Sequence, residues 1–210
     1  LHILRFLCNY DRVAIDVGAN KGNYALEMSK YSKRVICIEP NPGFNKYLSK
    51  MPNNCEVINA AATSSQDITF LHAPLIDGDA KHNMAFISSD KSIDNAVCLS
   101  QVKTIKLDDY CDQNVGMIKI DVEGFEGDIF KNAIDVLKNN RPFFLCEVLN
   151  TNLEVNDYDN ILSSNNYKKF LITDSGLIEY KNINAHEKFK DWFFIPNEKL
   201  HEVKSFLKVG

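Results

Sequence analysis

The sequence of 210 residues has no long apolar run, no cluster of basic residues and no paired cysteine motif. Because a membrane-spanning helix needs about 20 consecutive apolar residues, no membrane span is predicted. Lys and Arg number 24 against 28 Asp and Glu, which gives a net charge of -4. Nucleic-acid-binding proteins usually carry a basic face or stripe. This charge balance therefore disfavours nucleic acid as a partner.

Six cysteines are present, but none forms a C-x-x-C pair. Two of them lie in apolar, strand-like runs, where a thiol behaves as a small hydrophobic group. The pattern predicts a reduced, cytoplasmic protein with no metal site. Residues 1–7 are too short and too polar for a signal peptide. The chain starts at Leu1 rather than Met, as expected for a trimmed chain or a fragment.

What is present is typical of a globular protein, with 45% hydrophobic and 25% charged residues. The length favours one domain over residues 1–210 with a sizeable core. Apolar runs alternate with helical patterns, which predicts an α/β fold with a mostly parallel sheet and ligands at the carboxyl ends of its strands. Strands are predicted at 12–17, 34–39, 56–61, 116–121, 142–148, 168–173 and 191–195. Helices are predicted up to residue 9 and at 23–31, from 42, at 127–139 and at 158–164.

Residues 67–107 depart from this alternation. Predicted strands at 68–72 and 102–107 enclose a polar stretch, which indicates a strand and loop segment inserted at the edge of the fold. Long loops in compact domains often act as lids over a site. A substrate lid and a variable surface loop both remain open for this segment.

The most informative pattern is a glycine turn after the first predicted strand. Gly18 and Gly22 follow Asp16, and Glu39 ends the second predicted strand 23 residues after Asp16. In a βαβ unit such glycines let the backbone approach a nucleoside, and such an acid accepts hydrogen bonds from ribose hydroxyls. A tight turn without a ligand is the simpler alternative, and the spacing of Glu39 weakens it.

Two nucleoside cofactors fit this pattern. The dinucleotide fingerprint G-x-G-x-x-G is poorly matched, because Asn20 and Asn23 stand where glycines are required. S-adenosyl-L-methionine has no phosphate, and its ammonium group needs a carboxylate or carbonyl acceptor such as Asp16. The pattern therefore favours the methyl donor over NAD.

Several further motifs occur in a fixed order along the chain. They are DVGANKG at 16–22, EPNP at 39–42, NAA at 59–61, LDD at 107–109, KIDVEG at 119–124 and DWFFIP at 191–196. In this combination the chain resembles the FkbM family of S-adenosylmethionine-dependent methyltransferases over residues 12–196. Phe125 departs from the family pattern, which often has a small residue there.

The resemblance implies a class I methyltransferase fold, a Rossmann-like sheet of seven strands with one terminal strand antiparallel. It also implies O-methylation of a hydroxyl on a sugar or small secondary metabolite. The implied cofactor contacts fall on the glycine turn, the acid after the second strand and the alanines after the third. They are Asp16, Gly18, Asn20 and Gly22 for the methionine part, Glu39 for the ribose, and Pro40, Ala60 and Ala61 for the adenine. Asp121 would face the transferring methyl group.

Methyl transfer to a hydroxyl needs alignment of the reacting atoms and usually a general base. Asp121 is the first candidate base and Glu123 the second. Asp121 could instead bind only the cofactor ammonium, and Glu123 could instead cap the following helix. His72 and His82 are expected in exposed loops, and with Asp77 and Asp79 they lack a recognised metal-ligand spacing.

The predicted partner is a small hydroxylated molecule, with a homodimer as an allowed assembly. An NAD-dependent oxidoreductase and a non-catalytic nucleoside-binding domain remain as alternative functions. Methylation of RNA is disfavoured by the acidic charge balance.

Overall fold

The computed structural model of the chain describes residues 3–63, 69–122, 124–149 and 155–206, without the side chain of Asn83. The strands of these residues are β1 (Val13–Val17), β2 (Arg34–Ile38), β3 (Cys55–Ile58), β4 (Ala60–Ala62), β5 (Thr69–Ile76), β6 (Asp79–Ala80), β7 (Phe86–Ser88), β8 (Ala96–Ile105), β9 (Val115–Ile120), β10 (Phe143–Glu147), β11 (Tyr167–Thr173), β12 (Gly176–Tyr180) and β13 (Asp191–Pro196). The α-helices are α1 (Leu4–Leu7), α2 (Asn23–Ser29), α3 (Asn45–Leu48), α4 (Glu126–Lys131) and α5 (Val155–Ser164). Segments of 3-10 or π helix cover Pro42–Phe44, His82–Met84, Leu107–Gln113, Val136–Asn140 and Asn197–Phe206.

The main sheet confirms the predicted α/β class but has eight strands rather than seven. Its order is β12-β11-β13-β10-β9-β1-β2-β3. Its five strands β10, β9, β1, β2 and β3 are parallel to one another. β13 is antiparallel to both β10 and β11. The strand that the prediction missed is β12, which forms a hairpin with β11 at the sheet edge. An edge strand is only partly buried, so β12 lacks the continuous apolar run that marks a central strand.

The third predicted strand is divided between two sheets. β3 pairs with β2 in the main sheet, whereas β4 pairs in parallel with β8 in a second sheet. The second sheet has the order β4-β8-β5-β6, with β7 paired to β5. Most of it comes from the segment predicted as an insertion, so strands replace much of the polar loop expected between 73 and 100. Ala60 and Ala61 consequently lie on this second sheet.

The predicted helix at 127–139 is interrupted. It forms α4 and then, after Asn132 and Ala133, a separate turn at Val136–Asn140. The LDD motif explains how the second part is held. The Asp108 carboxylate accepts a hydrogen bond from the backbone N–H of Val136 at 2.9 Å, and Asp109 accepts one from the N–H of Lys106 at 3.0 Å. Two aspartates of this motif therefore cap local structure.

The core lies on both faces of the main sheet. Successive residues of a strand point to opposite faces, so Ile15 and Val17 pack with α4 and α5 residues, whereas Ala14 packs with α2 residues. The apolar residues at helical spacing within 127–139 are all buried, namely Ile129, Phe130, Ala133, Val136 and Leu137. Within the described ranges, no helix combines the length and apolarity that crossing a bilayer requires.

Candidate active site at the carboxyl ends of the strands

A cleft of about 730 Å³, its open mouth included, lies between the carboxyl ends of β1, β2 and β9 and the second sheet. Six of the predicted site residues line the cleft together, namely Gly18, Asn20, Glu39, Pro40, Ala61 and Asp121. Asp16, Gly22 and Ala60 are described but lie outside its lining. The parallel strand order thus brings the glycine turn, the acid after β2 and the acid after β9 to one edge.

The Glu39 carboxylate ties two loops of the cleft together. It accepts hydrogen bonds from the backbone N–H of Asn20 at 2.7 Å and of Asn41 at 2.8 Å. Burial raises the pKa of Glu39, and these two hydrogen bonds act in the opposite direction. Each carboxylate oxygen has about two acceptor positions, so the protein leaves acceptor capacity for a ligand.

Gly18 allows the turn after β1 to approach the loop after β9. Its φ is +74°, and a Cβ at this position would lie 1.9 Å from the carbonyl oxygen of Asp121. Gly22 also has positive φ, +82°, but a different neighbour requires glycine there. A Cβ at this position would lie 2.1 Å from Cε of Met51. The first glycine therefore shapes the cleft, and the second shapes the packing behind it.

We expect Gly18→Ala to lower the free energy of unfolding by about 2 kcal/mol or more, because positive φ and a backbone clash both oppose a Cβ there. Gly78→Ala is the matched control, since Gly78 also has φ +82° but no atom of the described residues within 4 Å of the point that its Cβ would occupy. It should cost about 1 kcal/mol, the strain of positive φ alone. Urea denaturation measures both. A Gly18→Ala loss no larger than that of Gly78→Ala would contradict the clash.

A buried ion-pair group lies behind the cleft. Asp16 and Lys119 are register partners on β1 and β9, and Lys119 Nζ is 3.8 Å from Asp16 Oδ1 and 2.9 Å from Asp121 Oδ2. Burial raises the pKa of Asp16, opposed by Lys119 and by the N–H of Ala25. Neither Asp16 oxygen accepts a hydrogen bond of normal geometry within the described residues. Burial lowers the pKa of Lys119, but Asp16 and Asp121 outweigh it and raise the pKa above the ordinary value.

Lys119 was missed as a site residue by the sequence analysis, although its motif was noted. The signal was available, because a lysine stands inside a strand that is otherwise fully apolar. Tyr24 was also missed, and its ring centroid lies 4.9 Å from Lys119 Nζ. A helix residue such as Tyr24 carries no local signal of this contact.

The turn after β9 is supported by Glu126. Its carboxylate, 1% exposed, accepts hydrogen bonds from the N–H groups of Val122 and Gly124, each at 3.3 Å. Glu123, the second candidate base, lies outside the described residues. Glu126 therefore holds the loop between β9 and α4.

The second sheet supplies the opposite wall of the cleft. Leu71, Phe86 and Ile87 form an apolar surface there, and Phe125 joins it from the loop before α4. His82 lines the cleft, and its carbonyl accepts a hydrogen bond from Nδ2 of Asn41 at 3.2 Å. This contact links the loop after β2 to the inserted segment.

The expectation of an exposed loop position for His72 is wrong. His72 is fully buried in β5, stacked on Phe86 with ring centroids 5.6 Å apart. Its Nε2 lies 2.9 Å from the carbonyl oxygen of Asp90. Within the described residues, no group of three or more His, Cys, Asp or Glu side chains has an arrangement that could hold a metal ion.

Residues 16–169, more than half of the chain, match the family model described as the methyltransferase FkbM domain. The chain belongs to the FkbM methyltransferase family. The match begins at Asp16 and includes the glycine turn, Glu39 and the KIDVEG motif. The predicted family and its Rossmann-like methyltransferase fold are therefore confirmed.

Two solved structures of similar fold are methyltransferases by their descriptions. A methyltransferase FkbM from Methylobacillus flagellatus KT has a TM-score of 0.57 and 16% identity, over 88% of this FkbM-family chain and 44% of the other. This chain thus spans less than half of that protein. A putative tRNA (m1A22) methyltransferase, Sp1610 of Streptococcus pneumoniae, has a TM-score of 0.50 and 12% identity, over 93% and 68% of the two chains. At these identities the likeness shows the fold alone. No curated protein matches the FkbM-family chain significantly in sequence.

Proposed function

We propose that this FkbM-family protein is a cytoplasmic, S-adenosylmethionine-dependent O-methyltransferase that acts on a hydroxyl of a carbohydrate or small metabolite. The observation that carries the proposal is the Glu39 carboxylate, held at the wall of a cleft that also contains the glycine turn and Asp121. The acceptor class rests on the family resemblance, which is an argument by analogy.

The residues at the cleft fit the methyl donor part by part. Glu39 would hold the ribose hydroxyls, because its oxygens keep acceptor positions beyond those used by Asn20 and Asn41. Pro40 and Ala61 would line the adenine, with Gly18 and Asn20 beside the methionine part. Asp16 is buried behind the cleft and paired with Lys119, so in this proposal it would act on the donor ammonium through water.

When bound, the donor would supply an electrophilic methyl group on a sulfonium centre. The protein then has to align the acceptor oxygen and remove its proton. Asp121 is suited to this task, because its side chain is 37% exposed and lines the cleft. Its carboxylate would accept the hydroxyl proton, or would bind the donor ammonium. Glu123 is the alternative base.

Calorimetric titration with S-adenosylmethionine, S-adenosylhomocysteine and NAD tests the proposed donor. The expected result is that S-adenosylmethionine and S-adenosylhomocysteine bind and NAD does not. Binding of NAD alone, or of none of the three, would overturn the proposal. A screen with a methyl-labelled donor against sugars, small alcohols and RNA then tests the acceptor. Donor binding with no transfer would support the non-catalytic nucleoside-binding alternative.

The affinity for S-adenosylmethionine is expected to fall as the pH is lowered through the pKa of Glu39. The ionised carboxylate accepts ribose hydroxyls and two backbone N–H groups, and protonation removes acceptor capacity. Because burial raises this pKa, the fall should begin at a higher pH than for an exposed glutamate, whose pKa is about 4.3. Calorimetry at a series of pH values downward from about pH 8 measures the fall. If the donor affinity of the wild type and of Glu39→Gln depends on pH in the same way, Glu39 is not the group whose protonation weakens binding.

A further inference from the structure

Resting on the proposed function, we propose that Lys119 is a positioning residue, which holds the Asp121 carboxylate in place against the bound methyl donor. Three observations support this role. Lys119 is buried behind the cleft, it makes a direct contact with Asp121, and it is the cation among several carboxylates.

Lys119 itself does not reach the cleft. Its register partner on β1 is Asp16, whereas the cleft-lining residues Val17 and Ile38 occupy the next positions on their strands. Neighbouring positions point to opposite faces of a sheet, so the lysine side chain lies on the α2 face of the sheet, and Lys119 is not among the residues that line the cleft. Its side chain is 7% exposed and lies beside the Tyr24 ring. Any effect of Lys119 on a ligand therefore acts through Asp121 or Asp16.

The contact with Asp121 is asymmetric. Lys119 Nζ donates to Oδ2 at 2.9 Å, and Oδ1 accepts no hydrogen bond from the residues that the structure describes. A charged hydrogen bond of this length holds a side-chain rotamer more strongly than a neutral one. The ammonium thus fixes one oxygen from behind and leaves the other oxygen for a ligand in the cleft.

The surrounding charges make the position of Asp121 depend on Lys119. Asp16 faces the lysine from β1, Asp121 follows β9, Asp191 begins β13 and Glu39 follows β2. Tyr24 faces it from α2. Like charges repel one another at short range. Without the ammonium, Asp16 is held by burial, so the partly exposed Asp121 is the carboxylate that would turn toward solvent.

A double-mutant cycle on donor binding tests the proposal without a known acceptor. The four proteins are the wild type, Lys119→Met, Asp121→Asn and the double variant, and calorimetry with S-adenosylmethionine is the measurement. Each single variant should weaken binding about tenfold, and the double variant should bind no more weakly than Asp121→Asn alone. Losses that multiply, or an unchanged affinity in Lys119→Met, would overturn the proposal.

Lys169→Met is the matched control, because Lys169 is also buried and paired, with Nζ 2.7 Å from Asp159 Oδ1. It should lower the melting temperature without changing donor affinity. Lys119→Gln replaces Lys119→Met if the latter does not fold, since its amide can still donate to Asp16, and the same cycle applies. If the wild type binds neither S-adenosylmethionine nor S-adenosylhomocysteine, the proposed function fails. If it binds them and the cycle is additive, only the role of Lys119 fails.

Discussion

Replacement of Asp121 by asparagine is expected to lower methyl transfer about a hundredfold or more, the usual contribution of a general base. The asparagine amide keeps the size of the side chain but cannot take a proton from the acceptor hydroxyl. The loss of donor affinity should be smaller, about tenfold, because one charged acceptor is removed. Single-turnover transfer of a labelled methyl group gives the rate, and calorimetry gives the affinity.

The two measurements separate the roles that the geometry allows for Asp121. A rate loss no larger than the affinity loss would assign Asp121 to donor binding alone and leave Glu123 as the candidate base. Asp174→Asn is the control, because Asp174 is exposed and paired with Lys188 away from the cleft. It should change neither quantity. If the Asp121→Asn enzyme has normal rate and affinity, Asp121 has no role in donor binding or in methyl transfer.

Glu39→Ala should weaken S-adenosylmethionine binding about a hundredfold, which corresponds to about 2.7 kcal/mol. The variant loses the charged acceptor for the ribose hydroxyls. It also loses the hydrogen bonds that Glu39 accepts from the backbone N–H groups of Asn20 and Asn41, which hold two loops of the cleft together. Calorimetry at neutral pH measures the change.

Two further variants test whether the effect depends on the charge of Glu39 and on its location at the cleft. Glu39→Gln keeps one acceptor oxygen and should lose about tenfold. Glu56→Ala removes a half-exposed glutamate of β3, whose partner Arg34 is 3.5 Å away, and should leave the affinity unchanged. Equal affinities of Glu39→Ala and wild type would contradict the ribose assignment, and with it the nucleoside site inferred from the glycine turn.

Elements with strong local signals were predicted well. β1, β2, β9 and β10 lie within one or two residues of their predicted bounds, because buried parallel strands are short apolar runs. The glycine turn was recognised from residue type, and positive φ at Gly18 and Gly22 is a local property. Five of the six predicted residues that meet in the cleft follow from the strand order of the parallel sheet, whereas Ala61 lies on the second sheet.

Other elements depend on neighbours that are distant in sequence. The third predicted strand divides at Asn59, because β4 pairs with β8 in the second sheet rather than with β2. The interruption of the helix after α4 is held by Asp108, from another segment. Patterns of period 2 or 3.6 report burial on one element and carry no information about these partners.

The sequence by itself determined the α/β class, the family and the turn–acid pattern of a nucleoside site, because each depends on short motifs in a fixed order. Only the tertiary structure decided that Lys119 lies between Asp16 and Asp121, that Glu39 joins two loops, and that Gly18 must be small because a carbonyl lies against it. These are contacts between residues on different strands and loops. They depend on the register between strands and on how closely two loops approach, and neither quantity is encoded in any one segment.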